Sequence, residues 1–88
     1  MRYIKPDNIE PQKIKSLLEN GRSLFITLIS TFALQSVLED LRFIPYNGVI
    51  KVHNLSRGWT EYVTIEEAVD WIMDLKTKGR IKTIEIVR

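Results

Sequence analysis

The sequence has no cysteine and a single histidine, His53, among its 88 residues. Disulfide bonds and thiolate metal sites are thereby excluded, and a lone histidine is a poor metal site. The sequence also lacks a glycine-rich phosphate loop and a nucleophile at a recognisable motif spacing from His53. These absences predict a protein that is not an enzyme and that binds neither a metal ion nor an organic cofactor.

Long apolar segments are also absent. The longest segment without a charge, residues 23–38, includes several serine, threonine and glutamine residues, and it is shorter than the ~20 apolar residues that cross a membrane. The first ten residues, MRYIKPDNIE, lack the apolar region of a signal peptide. We therefore expect a cytoplasmic protein without a membrane partner.

Length and composition fit one domain. Hydrophobic residues make up 44% of the chain and charged residues 27%, as in ordinary soluble domains, and a chain of this length has no room for a second core. The formal net charge of +2 is compatible with a nucleic-acid partner but does not require one.

The uncharged segment predicts a strand followed by a helix. Leu24–Ile29 is bulky on both alternating faces, which is typical of a strand covered on both sides. Ser30 and Thr31 are suitable N-caps, and apolar residues then recur at helical spacing until Pro45 ends the helix. The predicted apolar stripe of this helix is Leu34, Val37, Leu38 and Leu41.

The remaining elements are marked by their end residues. Proline in the first turn and glycine after the last turn bound one helix, and Thr64 and Glu67 predict a capping box at the start of another. In chain order, we predict an edge strand at Arg2–Lys5, a helix from Pro11 to Asn20-Gly21, a hairpin of Val49–Asn54 and Trp59–Thr64, a helix over residues 65–78, and a strand at Ile81–Val87.

From Ser23 onward, the predicted order β-α-β-β-α-β favours a ferredoxin-like plait. In that α+β fold, right-handed crossovers place two helices on one face of a four-stranded antiparallel sheet. Residues 1–22 would be an N-terminal β-α extension, and residues 23–88 would form the plait within one structural domain. A winged-helix fold is the alternative, but it needs two helices where only one fits between Thr31 and Pro45.

The predicted hairpin carries the main candidate binding site. Single-stranded nucleic acid is bound by aromatic faces that stack on bases and by cations that contact phosphates. The same aromatic residues can instead be core or cross-strand packing residues, which is the more common role. The candidate nucleic-acid-binding residues of the hairpin are Lys51, His53, Arg57, Trp59 and Tyr62.

A second basic group begins in the last turn of the last predicted helix and contains Lys76, Lys78, Arg80, Lys82 and Arg88. These cations are candidate phosphate contacts. The alternative is a solvated helix end, because cations are stabilised near the C-terminus of a helix by its dipole.

The predicted element order resembles that of the RNA-recognition motif family. That family carries a basic-Gly-aromatic pattern on its third strand and an aromatic residue on its first strand, which Arg57-Gly58-Trp59 and Phe25 resemble. Glu61 stands where the family has its next aromatic residue, and Tyr62 follows one position later. The resemblance implies binding of single-stranded nucleic acid through these residues.

Two functions follow from these observations. The first is a small non-enzymatic module that binds nucleic acid, single-stranded by preference. The alternative is a protein-interaction or self-association module, such as a homodimer, because sheet edges and an uncovered sheet face favour association. Phe43, Ile44, Tyr46 and Trp59 are candidates for that interface.

Overall fold

The computed structural model of the chain describes residues 2–88, apart from the side chain of Phe32. The strands in this range are β1 (Arg2–Ile4), β2 (Ser23–Phe32), β3 (Gln35–Tyr46), β4 (Val49–Asn54), β5 (Trp59–Val63) and β6 (Ile81–Val87). The helices are α1 (Pro11–Glu19) and α2 (Ile65–Thr77), and a 3₁₀ turn at Pro6–Asn8 precedes α1.

All these strands form one antiparallel sheet in the order β1-β6-β2-β3-β4-β5. Three consecutive hairpins lead from β2 to β5, and α2 then returns the chain across the sheet so that β6 pairs with β2. β1 adds to the outer side of β6. β1 and β5 are therefore the two edges, and β2 and β3 lie at the centre.

The core lies between the sheet and the two helices. Alternate residues of the strands point to the helices, as the period of two requires, and α1 and α2 also contact each other. Phe43 is the largest of the fully buried side chains. The core cluster includes Leu24, Ile26, Leu41, Phe43, Ile50, Val52 and Ile84 of the sheet, Ile14 and Leu18 of α1, and Ala68, Val69, Ile72 and Leu75 of α2.

The predicted ferredoxin-like plait is wrong. The sheet has six strands instead of four, and β3 occupies the place of the helix predicted between Thr31 and Pro45. Within β3, Glu39, Leu41 and Phe43 are buried in alternation, which is the period of a strand. Because β2 and β3 are joined directly, the element order no longer resembles that of the RNA-recognition motif family.

Most of the stripe predicted for that helix is in solvent. Leu41 is buried, but Leu34 is 100% exposed, Leu38 52% and Val37 45%. The β2–β3 turn consists of Ala33 and Leu34, whose φ angles are 51° and 66°. Such left-handed turn positions are normally occupied by glycine, asparagine or aspartate. The sequence therefore carries no recognisable signal for this turn.

The N-terminal segment belongs to the same sheet and core. The predicted edge strand is confirmed, because β1 pairs with β6, and α1 is closed after Asn20 by Gly21 as predicted. Ile9 is fully buried, and its carbonyl oxygen accepts a hydrogen bond of 2.7 Å from Nζ of Lys76 on α2. This contact fixes the start of the chain to the second helix.

The predicted capping box at the start of α2 is confirmed. Oγ1 of Thr64 accepts a hydrogen bond of 3.1 Å from the Glu67 N–H, and Oε1 of Glu67 accepts one of 3.0 Å from the Thr64 N–H. The hydrogen bond from the Thr64 N–H, together with the Thr64 hydroxyl, lowers the pKa of the Glu67 carboxyl below its ordinary value.

Replacing this cap should weaken the fold measurably. We expect Thr64→Ala to lower the free energy of unfolding by about 1 kcal/mol, because the first turn of α2 loses the partner of a backbone N–H. Urea denaturation measures the loss, and Thr64→Ser, which keeps the hydroxyl, is the matched control. An equal loss in both variants would show that the threonine methyl group, rather than the cap, stabilises the helix.

Candidate binding surface on the open sheet face

The side chains of the sheet divide between two faces. Leu24, Phe43 and Val52 are buried on the side of the helices. Their neighbours along each strand point to the opposite side, and we call that side the open face. It is the candidate binding surface because each strand contributes accessible polar or aromatic side chains to it.

One row of residues crosses the whole open face. The strand registers place a residue of each strand directly beside the next, so the members of the row are cross-strand neighbours. From one edge of the sheet to the other, the row contains Tyr3, Glu85, Phe25, Arg42, His53 and Thr60.

Arg42 and Phe25 form the centre of this row. The guanidinium carbon of Arg42 lies 4.1 Å from the centroid of the Phe25 ring, which is a cation–π contact. Further along the row, Nδ1 of His53 and Oγ1 of Thr60 are 2.8 Å apart and share a hydrogen bond. These contacts hold a cation and an imidazole in fixed positions on the sheet surface.

A second group lies beside the row on β3, β4 and β5. Lys51 stands opposite Tyr62 in the register, and the Tyr62 ring lies 6.2 Å from that of Tyr46 at an angle of 52°. The exposed fractions are 57% for Tyr62 and 54% for Tyr46. Two accessible aromatic rings therefore adjoin a lysine.

The charge of the open face is unevenly distributed. Arg42, Lys51 and His53 lie on the adjacent strands β3 and β4, whereas the carboxylates of Asp40 and Glu85 lie on β3 and β6. A depression of about 200 Å³ is lined by residues of both signs, including Tyr3, Phe25, Asp40, Arg42 and Glu85. The half of the face nearer β5 is the better surface for an anionic ligand.

The structure brings together only part of the predicted hairpin site. Lys51, His53 and Tyr62 share the open face. Trp59 is opposite the buried Asn54 and lies on the side of the helices, where its ring stacks on Trp71 with centroids 5.8 Å apart and planes 12° from parallel. The indole therefore packs within the protein, which is the alternative role that the sequence left open for it.

Arg57 and Arg80, predicted as parts of two separate basic groups, meet at one carboxylate. Glu39 is only 6% exposed and accepts hydrogen bonds from Oγ of Ser30 at 2.7 Å, from Nη2 of Arg80 at 3.4 Å and from Nε of Arg57. Nδ2 of Asn54 donates a longer one of 3.5 Å. The Ser30 hydrogen bond, helped by Arg57 and Asn54, lowers the pKa of Glu39 against the opposing effect of burial.

Two further cations of the second basic group lie away from the hairpin. Lys78 ends α2 and forms an ion pair of 2.9 Å with Asp74, with both side chains exposed. Lys82 is exposed on β6 at an irregularity where the register with β2 skips it. Neither side chain adjoins the aromatic residues of the open face.

Sequence reasoning missed Arg42 and Tyr46 as members of this surface. Both lie on β3. Arg42 fell within the helix predicted up to Pro45, and Tyr46 was a candidate only for a protein interface, so neither was aligned with His53 or Tyr62. The available signal was the alternation of Leu41 and Phe43 with Asp40 and Arg42, which favours a strand with one exposed face.

Within residues 2–88, no group of three or more histidine, cysteine, aspartate or glutamate side chains is arranged to hold a metal ion. No helix in the same range is long and apolar enough to cross a membrane. Comparisons of the chain with protein-family models, with curated proteins and with solved structures found no match. Function is therefore inferred from the geometry of the open face.

Proposed function

We propose that the protein is a non-enzymatic binding module whose open face binds single-stranded nucleic acid. The observation that supports this proposal is the order of side chains across β2 to β5. Phe25 of β2 stands at one end and Tyr62 of β5 at the other, with Arg42 of β3 and Lys51 of β4 between them, and the ring of Tyr46, at the end of β3, lies beside Tyr62. Aromatic faces that stack on bases, with cations between them for phosphates, are the usual means of binding single strands.

The shape of the surface favours a single strand over a duplex. From β2 to β5 the face spans three strand spacings, about 14 Å. A broad sheet face does not enter a duplex groove as a helix or a two-stranded ribbon does, and ring stacking requires bases that are not already stacked in a duplex. The proposal keeps the cytoplasmic location predicted from the sequence.

The small number of cations limits the electrostatic contribution. If Arg42, Lys51 and one further cation each neutralise a phosphate, log K should fall with log salt with a slope of about −2. The aromatic residues must then supply much of the affinity, at about 1–3 kcal/mol for each stacked base.

The test is fluorescence anisotropy with labelled single-stranded RNA, single-stranded DNA and duplex DNA at two salt concentrations. We expect Arg42→Ala and Tyr62→Ala each to weaken single-strand binding by about 5- to 150-fold, which corresponds to about 1–3 kcal/mol. Lys13→Ala, which removes an exposed charge from α1 on the other side of the sheet, is the matched control and should bind like the parent protein.

The two tryptophans report which side of the sheet binds. Both Trp59 and Trp71 lie on the side of the helices, and they are the only tryptophans in the chain. Binding on the open face should leave their emission nearly unchanged. Strong quenching on titration, or equal losses in Lys13→Ala and Tyr62→Ala, would contradict the open face as the binding surface.

A further inference from the structure

We propose that the β2–β3 hairpin contains a homodimerisation arm, residues 30–38, that pairs with the same arm of a second copy. The arm extends beyond the flanking strands. The register of β2 with β6 ends at Leu28, and that of β3 with β4 ends at Leu41. Beyond these points, within residues 2–88, the two strands of the hairpin have only each other as strand partners.

The arm exposes three large apolar side chains beside the polar Thr31, Gln35 and Ser36. Leu34 is fully exposed, and Leu38 and Val37 are about half exposed. A two-stranded ribbon alone is marginally stable in water, and an uncharged segment of this kind gains most from being covered. Pairing with another strand would stabilise the ribbon and cover its exposed apolar side chains.

The turn at the tip is a poor choice for stability alone. Ala33 and Leu34 both have positive φ angles, at 51° and 66°. The equivalent turn between β3 and β4 uses Asn47 and Gly48, which accept this conformation readily. Leu34 is held there against its backbone preference, although its side chain is entirely in solvent. Such a position points to a contact of this side chain with another molecule.

The outer edge of β3 is ready to pair. The Asp40 N–H donates to Oγ of Ser56, and its carbonyl accepts from the Leu55 N–H, both at 3.0 Å. Because these groups alternate along an antiparallel strand, Ser36 and Leu38 direct their N–H and C=O groups to the same side as Asp40. Edge strands are normally protected by lysine, proline or a bulge, and residues 35–38 contain no lysine or proline.

A second copy fits this edge because the edge is complementary to itself. A two-fold axis at Ser36 sets the two Ser36 residues opposite each other and Gln35 of each copy opposite Val37 of the other, so that the turn residue Leu34 comes beside Leu38 of the other copy. Glu39 and Asp40 remain outside the pairing, so no like charges face each other. The same short segment therefore provides both sides of the interface, with strand partners and apolar contacts. No partner of different sequence is needed.

This dimer is independent of the nucleic-acid proposal and is compatible with it. In antiparallel edge pairing, the two-fold axis is perpendicular to the sheet, so both open faces point to the same side. Failure of nucleic-acid binding would leave the dimer untouched.

A single introduced thiol tests the pairing directly, because the chain has no cysteine. Ser36→Cys should form a covalent dimer rapidly under mild oxidation, since directly opposed residues have Cα atoms within the range that a disulfide spans. Lys13→Cys, on α1, is the matched control and should remain monomeric under the same conditions. Equal cross-linking of the two variants would overturn the proposal.

Light scattering over a range of protein concentrations measures the dimer without a cross-link. Leu38→Lys should raise the dimer dissociation constant at least about tenfold, because it places a charge on the paired edge. The double variant Ala33→Asn, Leu34→Gly should also raise it at least about tenfold by removing the leucine contact, while the better turn keeps or raises the unfolding temperature. A monomeric mass for the parent protein at every concentration, or a dimer that neither variant weakens, would overturn the arm as the interface.

Discussion

Phe43→Ala should lower the free energy of unfolding by about 3–5 kcal/mol, the usual cost of removing a buried phenylalanine ring. Phe43 is fully buried at the centre of the sheet, between Leu24 of β2 and Val52 of β4. Its ring meets that of Trp71 edge to face, with centroids 5.7 Å apart. The substitution would therefore leave a cavity and remove an aromatic contact between the sheet and α2.

A loss of this size is a large part of the total stability. Domains of this length are stabilised by about 4–13 kcal/mol at the usual value per residue. Each kcal/mol lost corresponds to about 4–8 °C in the midpoint of thermal unfolding. We therefore expect the midpoint to fall by at least about 12 °C, measured by circular dichroism or by tryptophan emission.

Phe25→Ala is the matched control for this prediction. Phe25 lies on β2, next in sequence to Leu24, but its ring is half-buried on the open face beneath Arg42. We expect it to cost no more than about 1 kcal/mol of stability, the size of an exposed cation–π contact, and to weaken nucleic-acid binding instead. Equal destabilisation by the two substitutions would contradict the assignment of the two sheet faces.

The elements that could be predicted from the sequence have local chemical signals. Pro11 and Gly21 bound α1, and Thr64 caps α2, because a fixed proline φ, a left-handed glycine and a capping hydroxyl act within one turn of the chain. Asn47-Gly48 likewise marks the turn between β3 and β4. These features do not depend on the rest of the fold, so the sequence alone predicts them.

The β2–β3 hairpin could not be predicted in this way, because its sequence fits two periods. Leu34, Val37, Leu38 and Leu41 recur at helical spacing, while Leu41 and Phe43 alternate with Asp40 and Arg42 as in a strand. The deciding interactions are the pairing of β3 with β2 and β4, which are not local. Glycine or asparagine at positions 33 and 34 would have been a local signal for a hairpin turn, but the sequence has Ala33 and Leu34 there.

The lack of a local signal for strand pairing also explains which binding residues were predicted. Lys51, His53 and Tyr62 belong to a hairpin that was predicted correctly, and they share the open face. Trp59 begins β5 directly after the turn at Gly58, and only the register with Asn54 places its ring on the side of the helices. Sequence spacing across a loop does not fix that register, so the aromatic residues of the hairpin could not be assigned to faces beforehand.

Glu39→Gln should be the most damaging polar substitution that we consider, with an expected loss of about 2–3 kcal/mol. The carboxylate joins Ser30 of β2, Arg57 of the β4–β5 loop and Arg80 before β6. An amide of the same shape cannot accept from all of these donors. The expected loss is below that of a fully buried ion pair, because 63% of the Arg57 side chain and 37% of the Arg80 side chain are exposed to water.

Asp40→Asn is the matched control for this substitution. Asp40 is the next residue of β3, and its side chain is exposed on the open face. The control removes one negative charge from the same strand and should change stability by no more than about 0.5 kcal/mol. A comparable loss in both variants would attribute the effect to net charge rather than to the contacts of Glu39.

Acid should remove the difference between Glu39→Gln and the parent protein. The pKa of Glu39 is lowered in the folded state from its ordinary value of 4.5, so ionised Glu39 stabilises the fold above that pH. The contribution is lost as the pH falls through the lower folded-state pKa, where the parent protein becomes protonated and resembles the amide variant. Urea denaturation of both proteins at neutral pH and at successively lower pH values measures this change. The lowered pKa of Glu67 is common to both proteins, so its effect cancels in the difference. A gap that stays constant or widens in acid would mean that the glutamine variant loses packing rather than the interactions of a charged carboxylate.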